Sequence, residues 1–355
     1  MPWKRNMENK KITIFDATLR DGSHAVKHQL DLSTIEAYCK GIDNSGVDAV
    51  FVGHGNGLGA SSIQIGLSKH TDEEMLTTAK KALVHTPLGI YMIPGFGTIQ
   101  DQLIPAIEWG ADIFKVGAHC TEADVLKEHI EFLKNKDKDV YGVLMSTHMA
   151  ENNRLLEEAK KIESYGADGI VFMDSAGALL PDKVQDLVRL VKQNTKLKIG
   201  YHGHNNLGMA VGNTLVALNA GAEIIDGTLM GFGAGAGNCQ IEAIVAILQR
   251  MGMAKNINLY QIMDVAENII EKKLKYTQGI KEVSIISGIA GVFSAFKEKV
   301  FEAAKIYDID PRDIFMELGK RKVVGGQEDM IIDVAINLKQ KKKEEAENYM
   351  VESLL

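Results

Sequence analysis

The chain is poor in cysteine: Cys39, Cys120 and Cys239 are scattered through 355 residues, with no CxxC pair among them. That excludes a disulfide framework and fits free thiols in a reducing cytoplasm. It has no excess of positive charge either. Lys and Arg number 40 against 47 Asp and Glu, a formal net charge of −7, so nucleic-acid binding gains no electrostatic support. No apolar run approaches the length of a membrane span. Met1 to Lys11 is polar and basic and lacks an apolar core, so it does not read as a secretory signal. Residues 1–10 are expected to be flexible. What remains is an ordinary globular composition, 45% hydrophobic and 25% charged, sized for one large α/β barrel with an appendage or for two medium domains.

One phrase recurs. Ser45-Gly46-Val47-Asp48, Trp109-Gly110-Ala111-Asp112, Tyr165-Gly166-Ala167-Asp168 and Ala220-Gly221-Ala222-Glu223 each precede a short apolar run. Each reads as a helix closing on a glycine and re-entering a buried parallel strand. With Ile12–Phe15, Gly89–Ile93, Val140–Met145 and Leu197–Tyr201, strands fall near residues 12, 49, 89, 112, 140, 169, 198 and 223. Eight strands alternating with helices over about 250 residues is the rhythm of a (β/α)8 TIM barrel. A doubly wound open sheet shares the alternation but rarely needs eight regular units. The expected barrel occupies residues 11–258. Beyond it the rhythm becomes helical: an amphipathic stripe from Ile262 to Leu274, a more apolar helix from Val283 to Ala304, and a third opening at Asp310-Pro311. Residues 259–340 therefore read as a small all-α C-terminal domain, or as an extension packed on the barrel and on a partner, and residues 341–355 as a charged tail.

Function in such a barrel sits at the C-terminal ends of the strands. Read that way, strand 1 delivers Arg20, Asp21 and His24. Strand 2 delivers His54 and Asn56, strand 4 His119 and Cys120, and strand 6 Asp174 and Ser175. Strand 7 delivers His202, His204 and Asn206, and strand 8 the Gly231–Asn238 loop. Side chains two apart on a strand share a face, so His202 and His204 present both imidazoles to one point. With Asp21 they make a two-His, one-carboxylate set that leaves positions open for water or substrate. Such a set suits Mn²⁺ or Mg²⁺ and lets a 2-oxo acid chelate through its carboxylate and keto oxygens. Arg20 offers donors to a developing oxyanion, and His24 is the natural general acid or base. Each residue also has a plainer reading: Arg20–Asp21 as a structural ion pair, His24 or His28 as a surface residue, His70, His85 and His129 as surface or core. The glycines at 53–59 and 231–237 do not form a clear nucleotide fingerprint, although the loop after strand 8 could hold a phosphate.

Asp16-Ala17-Thr18-Leu19-Arg20-Asp21-Gly22 together with His202-Gly203-His204-Asn205-Asn206 resembles the superfamily of metal-dependent TIM-barrel pyruvate aldolases and acyl-CoA lyases and synthases. The closer resemblance is to the 4-hydroxy-2-oxovalerate aldolase family, carried by Arg20–Gln29, Gly53–Ser62, His119–Asp124, Asp174–Ala178, Gly233–Asn238 and Gly325–Val334 over nearly the whole chain. The resemblance implies cleavage of 4-hydroxy-2-oxopentanoate to pyruvate and acetaldehyde. It implies Mn²⁺ (or Mg²⁺ or Co²⁺) on Asp21, His202 and His204, with Arg20 stabilising the enolate. His24 would take the C4 hydroxyl proton, Ser175 would touch the substrate carboxylate, and Asn238 would correspond to a metal ligand of the lyase relatives. It further implies docking of an acylating acetaldehyde dehydrogenase, or of further copies of the chain, through the C-terminal domain. Two residues depart from the family pattern: Phe293 stands where a tyrosine is usual, and Asn56 where an aspartate is usual. Three alternatives follow: a Claisen-type acyl-CoA enzyme, an aldolase of altered aldehyde preference, and a non-enzymatic scaffold for a dehydrogenase.

Overall fold

Eight strands, buried along nearly their whole lengths, close into a parallel barrel in sequence order in the computed structural model, which describes residues 11–277 and 279–354. The expected flexible segment 1–10 lies outside the described residues. The strands are β1 (Thr13–Leu19), β2 (Ala49–Val52), β3 (Leu88–Met92), β4 (Ile113–His119), β5 (Asp139–Met145), β6 (Gly169–Asp174), β7 (Lys198–Gly203) and β8 (Ile224–Gly227). A helix follows each in turn: α1 (Leu32–Ile42), α2 (Asp72–Ala82), α3 (Ile104–Glu108), α4 (Lys127–Lys134), α5 (Asn152–Ser164), α6 (Pro181–Asn194), α7 (Ala210–Ala220) and α8 (Ile241–Arg250). β1 closes on β8 with Phe15 opposite Asp226. The (β/α)8 expectation holds, and the open-sheet alternative is excluded by that closure.

The recurring Gly-x-Asp phrase has a physical reason. Its glycines at 46, 110, 166 and 221 all have positive φ, which lets the chain leave a helix and turn back into the sheet. Three of its acids then cap the neighbouring strand's first amides: Asp48 accepts from Ile14 N (2.8 Å), Asp112 from Leu88 N (3.0 Å) and Asp168 from Val140 N (2.8 Å). The glycines are not equivalent. A methyl at Gly46 would collide with the Asn256 carbonyl, whereas at Gly166 the nearest atom is Lys134 Cγ at 3.8 Å. Gly166→Ala is therefore expected to cost about 1–2 kcal/mol of backbone strain, and Gly46→Ala roughly 3 kcal/mol, in urea unfolding. Equal losses would refute the steric difference.

Apolar residues fill two spaces. A large cluster lies between strands and helices, with Ile14, Val50, Ile90, Phe114 and Ile199 fully buried. Inside the barrel, Phe15, Phe51, Ile113, Tyr141 and Ile224 fill the end where the strands begin. Tyr91, Val143, Val171 and Met173 fill the end towards the strands' C-termini.

After α8, helix α9 (Leu259–Val265) continues into a wide turn over Ala266–Lys273, and its buried Ile262, Val265, Ala266 and Ile270 join the barrel's outer cluster. A separate helical domain follows: α10 (Glu282–Ala290), α11 (Lys297–Tyr307), α12 (Pro311–Lys320, capped by Asp310) and α13 (Met330–Leu354). It carries its own core of Val292, Phe296, Val300, Phe315, Leu318 and Val334. The single helix expected over Val283–Ala304 is two helices. Gly291, at φ 67°, ends the first, and the break carries Phe293 to the barrel mouth. The break is pinned from below by two barrel loops: His148 Nε2 lies 2.9 Å from Gly291 O, and Asn206 Nδ2 donates to Ser294 Oγ (2.6 Å) and Ser287 Oγ (3.2 Å). The charge run from Lys339 lies within α13. No helix among the described residues is long and apolar enough to cross a membrane.

Candidate active site

A cavity of about 710 Å³ opens at the C-terminal mouth of the barrel, walled by the strand ends on one side and by Phe293, Phe296 and residues 323–326 of the helical domain on the other. At its base one carboxylate and two imidazoles meet. Asp21 begins a short 3-10 helix (Asp21–Val26) after β1, His202 is the fifth residue of β7, and His204 lies just past that strand's end, bridged to Asn238. All three are buried, and their ligand atoms lie within 4.8 Å of one another. Asp21 Oδ1 is 4.0 Å from His202 Nε2, and the two rings are 5.2 Å apart.

Electrostatics keep the carboxylate ready to bind a cation. Burial by itself favours the neutral acid, but Arg20, then His204 and His202, hold Asp21 well below the usual carboxylate range. Burial pulls His204 down to about 4, against the attraction of Asp21, so its imidazole is a neutral donor at pH 7. Asn238 reaches the same point from the loop after β8. Its Nδ2 donates to Asp21 Oδ2 (2.7 Å) and sits 3.2 Å from His202 Nε2, while its Oδ1 is buried without a partner. Turning that amide about its last bond exchanges the two atoms and adds an oxygen to the set. A carboxylate, two imidazoles and an amide left half unsatisfied fit a hard or borderline divalent ion.

Above the set lies Arg20, 2% exposed, donating from Nη1 to Asp21 Oδ1 (2.8 Å) and Gly55 O (3.2 Å). Its Nε and Nη2 are buried and unpartnered. The structural ion pair and the functional reading are thus both present: one nitrogen holds Asp21 and two donors remain free. His24 lines the cavity, its ring 6.2 Å from that of Phe293. Gly55 gives it room, since a methyl there would collide with the His24 ring. Ser175 also lines the cavity, its Oγ accepting from Ser146 N (3.0 Å). Asn56 lines it too, with Oδ1 buried and unpartnered.

The plain reading of His28 as a surface residue does not hold. It is 6% exposed and stacks on His54 with ring centroids 3.6 Å apart, one layer behind His24. A stacked pair cannot both be charged, so the backbone fixes both neutral. His54 Nδ1 accepts from Asn56 N (3.0 Å), its Nε2 faces Gly66 O (3.0 Å), and His28 Nδ1 accepts from Gly55 N (3.4 Å). Burial pulls His54 down to about 4, against the Gly66 hydrogen bond and with help from His24, and pulls His28 to about 2 with help from the His24 and His54 imidazoles. An unfolded histidine titrates near 6.5, so the stabilisation is complete above that pH and is lost as the pH falls through His54's value of about 4. The melting temperature is expected to fall over that window, and less so in His54→Gln. Identical slopes would contradict the assignment.

Other polar residues of the strand ends serve the scaffold. Asp174 accepts from Ala178 N and Leu179 N, and Asn206 ties the helical domain down. The loop 231–238 turns inwards onto Asp21: a methyl at Gly233 would meet Asn238 Oδ1 and Asp21 Oδ2. Cys39, Cys120 and Cys239 are free and buried. Three residues near the site escaped the sequence reading. Tyr91 lines the cavity, while Lys115 and Asp226 form a buried pair behind His202.

A closed parallel barrel whose mouth gathers such a donor set is a metal-dependent enzyme barrel, and the comparisons agree. The HMGL-like family model matches residues 11–269, and that of the DmpG-like communication domain matches residues 278–340. A 4-hydroxy-2-oxovalerate aldolase from Pectobacterium atrosepticum is 49% identical, covering 95% of this chain and 98% of the relative, and one from Spirochaeta aurantia is 47% identical, covering 94% and 98%. The chain belongs to the 4-hydroxy-2-oxovalerate aldolase family, a family of carbon–carbon lyases. Solved structures extend the likeness in fold alone. The N-terminal domain of a putative aldolase from Bacteroides vulgatus superposes with TM-score 0.71 at 23% identity, covering 82% of this chain and 97% of that one. The carboxyl transferase domain of Rhizobium etli pyruvate carboxylase superposes with TM-score 0.76 at 14% identity, covering 96% and 63%.

Proposed function

We infer that this protein cleaves 4-hydroxy-2-oxopentanoate to pyruvate and acetaldehyde. The observation that carries the reading is the convergence of Asp21, His202 and His204 beneath two unpartnered Arg20 donors, with His24 in the same cavity. Asp21, His202 and His204 would hold Mn²⁺, or Mg²⁺ or Co²⁺ in its place, with Asn238 as a further oxygen donor. Bound there, the ion supplies fixed positive charge that polarises the 2-keto group and offsets the charge of the enolate. Arg20 Nε and Nη2 bind the keto oxygen, and Ser175 orients the carboxylate. His24 takes the proton from the C4 hydroxyl. The C3–C4 bond then breaks, its electron pair moves to the C2 carbonyl as the enolate forms, and acetaldehyde leaves. Reprotonation at C3 completes pyruvate.

Phe293 favours a second form of the same reading, an aldolase whose aldehyde selection differs from the family's. A bare ring beside His24 offers the aldehyde half no hydrogen bond. Phe293→Tyr is expected to sharpen discrimination between the C4 enantiomers; an unchanged enantiomer ratio and turnover would count against it.

The helical domain is the proposed dock for an acylating acetaldehyde dehydrogenase, or for further copies of this chain. Ile285, Ile289, Phe301, Ile306, Ile332 and Ile336 on its helices are each between 38% and 69% exposed. Buried free thiols support placing it in the cytoplasm. The test of the reaction is pyruvate release from racemic 4-hydroxy-2-oxopentanoate by metal-stripped protein, then with Mn²⁺ restored. Release that depends on Mn²⁺ supports the aldolase. Metal binding without release would turn attention to acyl-CoA acceptors, and absence of metal binding to a scaffold.

A further inference from the structure

Tyr91 has no role in the mechanism above, yet it lies in the wall of the same cavity. It is the fourth residue of β3, 2% exposed, and packs with Val143, Val171 and Met173 inside the barrel. The Arg20 guanidinium lies over its ring, 4.8 Å from the centroid. Gly117 on β4 makes space for the phenol oxygen, since a methyl there would collide with it. The backbone is fixed by Leu58 N, which donates to Tyr91 O (2.9 Å). The ring is therefore held, and the hydroxyl is poorly served: its partner is Met145 Sδ at 3.0 Å, a weak acceptor. Buried phenols ordinarily find a strong one.

Two other hydroxyls of the wall are engaged. Ser175 Oγ accepts from Ser146 N (3.0 Å), and Thr121 Oγ1 sits 3.1 Å from His119 Nδ1. Phe293, on the opposite wall, brings no hydroxyl at all. Burial raises the Tyr91 pKa, so the group stays protonated and acts as a donor.

We propose that the Tyr91 hydroxyl donates a hydrogen bond to the C4 oxygen, the aldehyde-derived oxygen of the substrate. Two Arg20 donors already serve the C2 oxygen, whereas the C4 oxygen meets His24 only as a proton acceptor. In the cleavage direction His24 removes the C4 hydroxyl proton, and Tyr91, keeping its own, stabilises the oxygen until the C3–C4 bond has broken and the carbonyl has formed. In the reverse direction the same bond polarises the incoming aldehyde. The assignment rests on the aldolase reading.

Tyr91→Phe removes only the oxygen. Two assays separate the possibilities: cleavage of 4-hydroxy-2-oxopentanoate, and exchange of pyruvate C3 protons with D₂O, which needs the enolate but no aldehyde. Cleavage kcat/KM is expected to fall about 10- to 100-fold, with exchange unchanged within about twofold. An unchanged melting temperature and Mn²⁺ affinity would show that ring packing and the metal set survive. Unchanged cleavage would overturn the proposal, and so would a parallel fall in exchange, since the hydroxyl would then serve the enolate or the packing. Wild-type protein that exchanges pyruvate but cleaves nothing would instead refute the aldolase reading, and this assignment with it.

Discussion

Replacing His24 by asparagine is expected to lower kcat for cleavage by about 10²–10⁴-fold while the divalent ion stays bound. The prediction follows from where His24 stands. It follows Asp21 in the turn after β1, so it shares the metal set's anchor without belonging to it. Its imidazole lines the cavity, against His28 at 4.9 Å and Phe293 at 6.2 Å between ring centroids. Burial pulls its pKa below 6.5, more than Asp21 pulls it up, so at pH 7 the ring is neutral and can accept a proton. Asparagine keeps polarity and some shape but cannot cycle a proton. The readouts are kcat under saturating substrate and Mn²⁺ affinity by competition with a chelator. A loss of affinity would make His24 part of the metal site. A fall in kcat of less than about tenfold would assign the base to another group.

The barrel was legible because its cause is local: a helix, a glycine with positive φ, an acid that caps the next strand, and an apolar run. The strand ends were less legible, and the reason is functional. In the sequence most apolar runs stop where polarity begins, yet β4 continues through His119, β6 through Asp174 and β7 through Gly203. In a barrel enzyme the last strand residues carry the chemistry, so polarity there marks the site and not a loop. Asp21, His202 and His204 could still be found, because two histidines two apart on a strand announce a common face. Tyr91 could not. A tyrosine in an apolar strand reads as core, and only the closed barrel reveals the glycine opposite it and the guanidinium over it. The break at Gly291 was hidden for a related reason. Local propensity runs through Val283–Ala304, but His148 and Asn206, far away in sequence, hold the chain in the turn. Lys115 and Asp226 did leave a signal, since each is a lone charge inside an otherwise apolar strand. Two opposite charges on opposing strands of one barrel are a pair waiting to be drawn.

Asp226→Asn is expected to weaken divalent-ion binding about 10- to 100-fold, although Asp226 touches no ion. His202 turns Nε2 towards Asp21 and Nδ1 towards Asp226 Oδ1, at 3.3 Å, so the carboxylate fixes which nitrogen carries the proton and which faces the metal set. Burial works against the Asp226 charge, but Lys115 and then His202 hold it well below the usual carboxylate range. Lys115 lies 2.5 Å from Asp226 Oδ2, with its ammonium 3.6 Å from the Phe51 ring centroid and 4.8 Å from that of Phe15. Burial pulls it down to about 8, and Asp226 opposes the shift, so both members are charged at pH 7. Breaking such a pair from one side leaves an uncompensated charge in the barrel. Lys115→Met should therefore cost about 3–5 kcal/mol in urea unfolding, and the double variant Lys115→Met with Asp226→Asn distinctly less, because no charge is stranded. Metal affinity should follow a different rule. It should be weak wherever residue 226 is asparagine, whatever stands at 115, because the ion senses the pair only through the His202 ring. If the double variant regained both stability and affinity, the carboxylate would be a folding element alone, and the orientation of His202 would have to come from the strand.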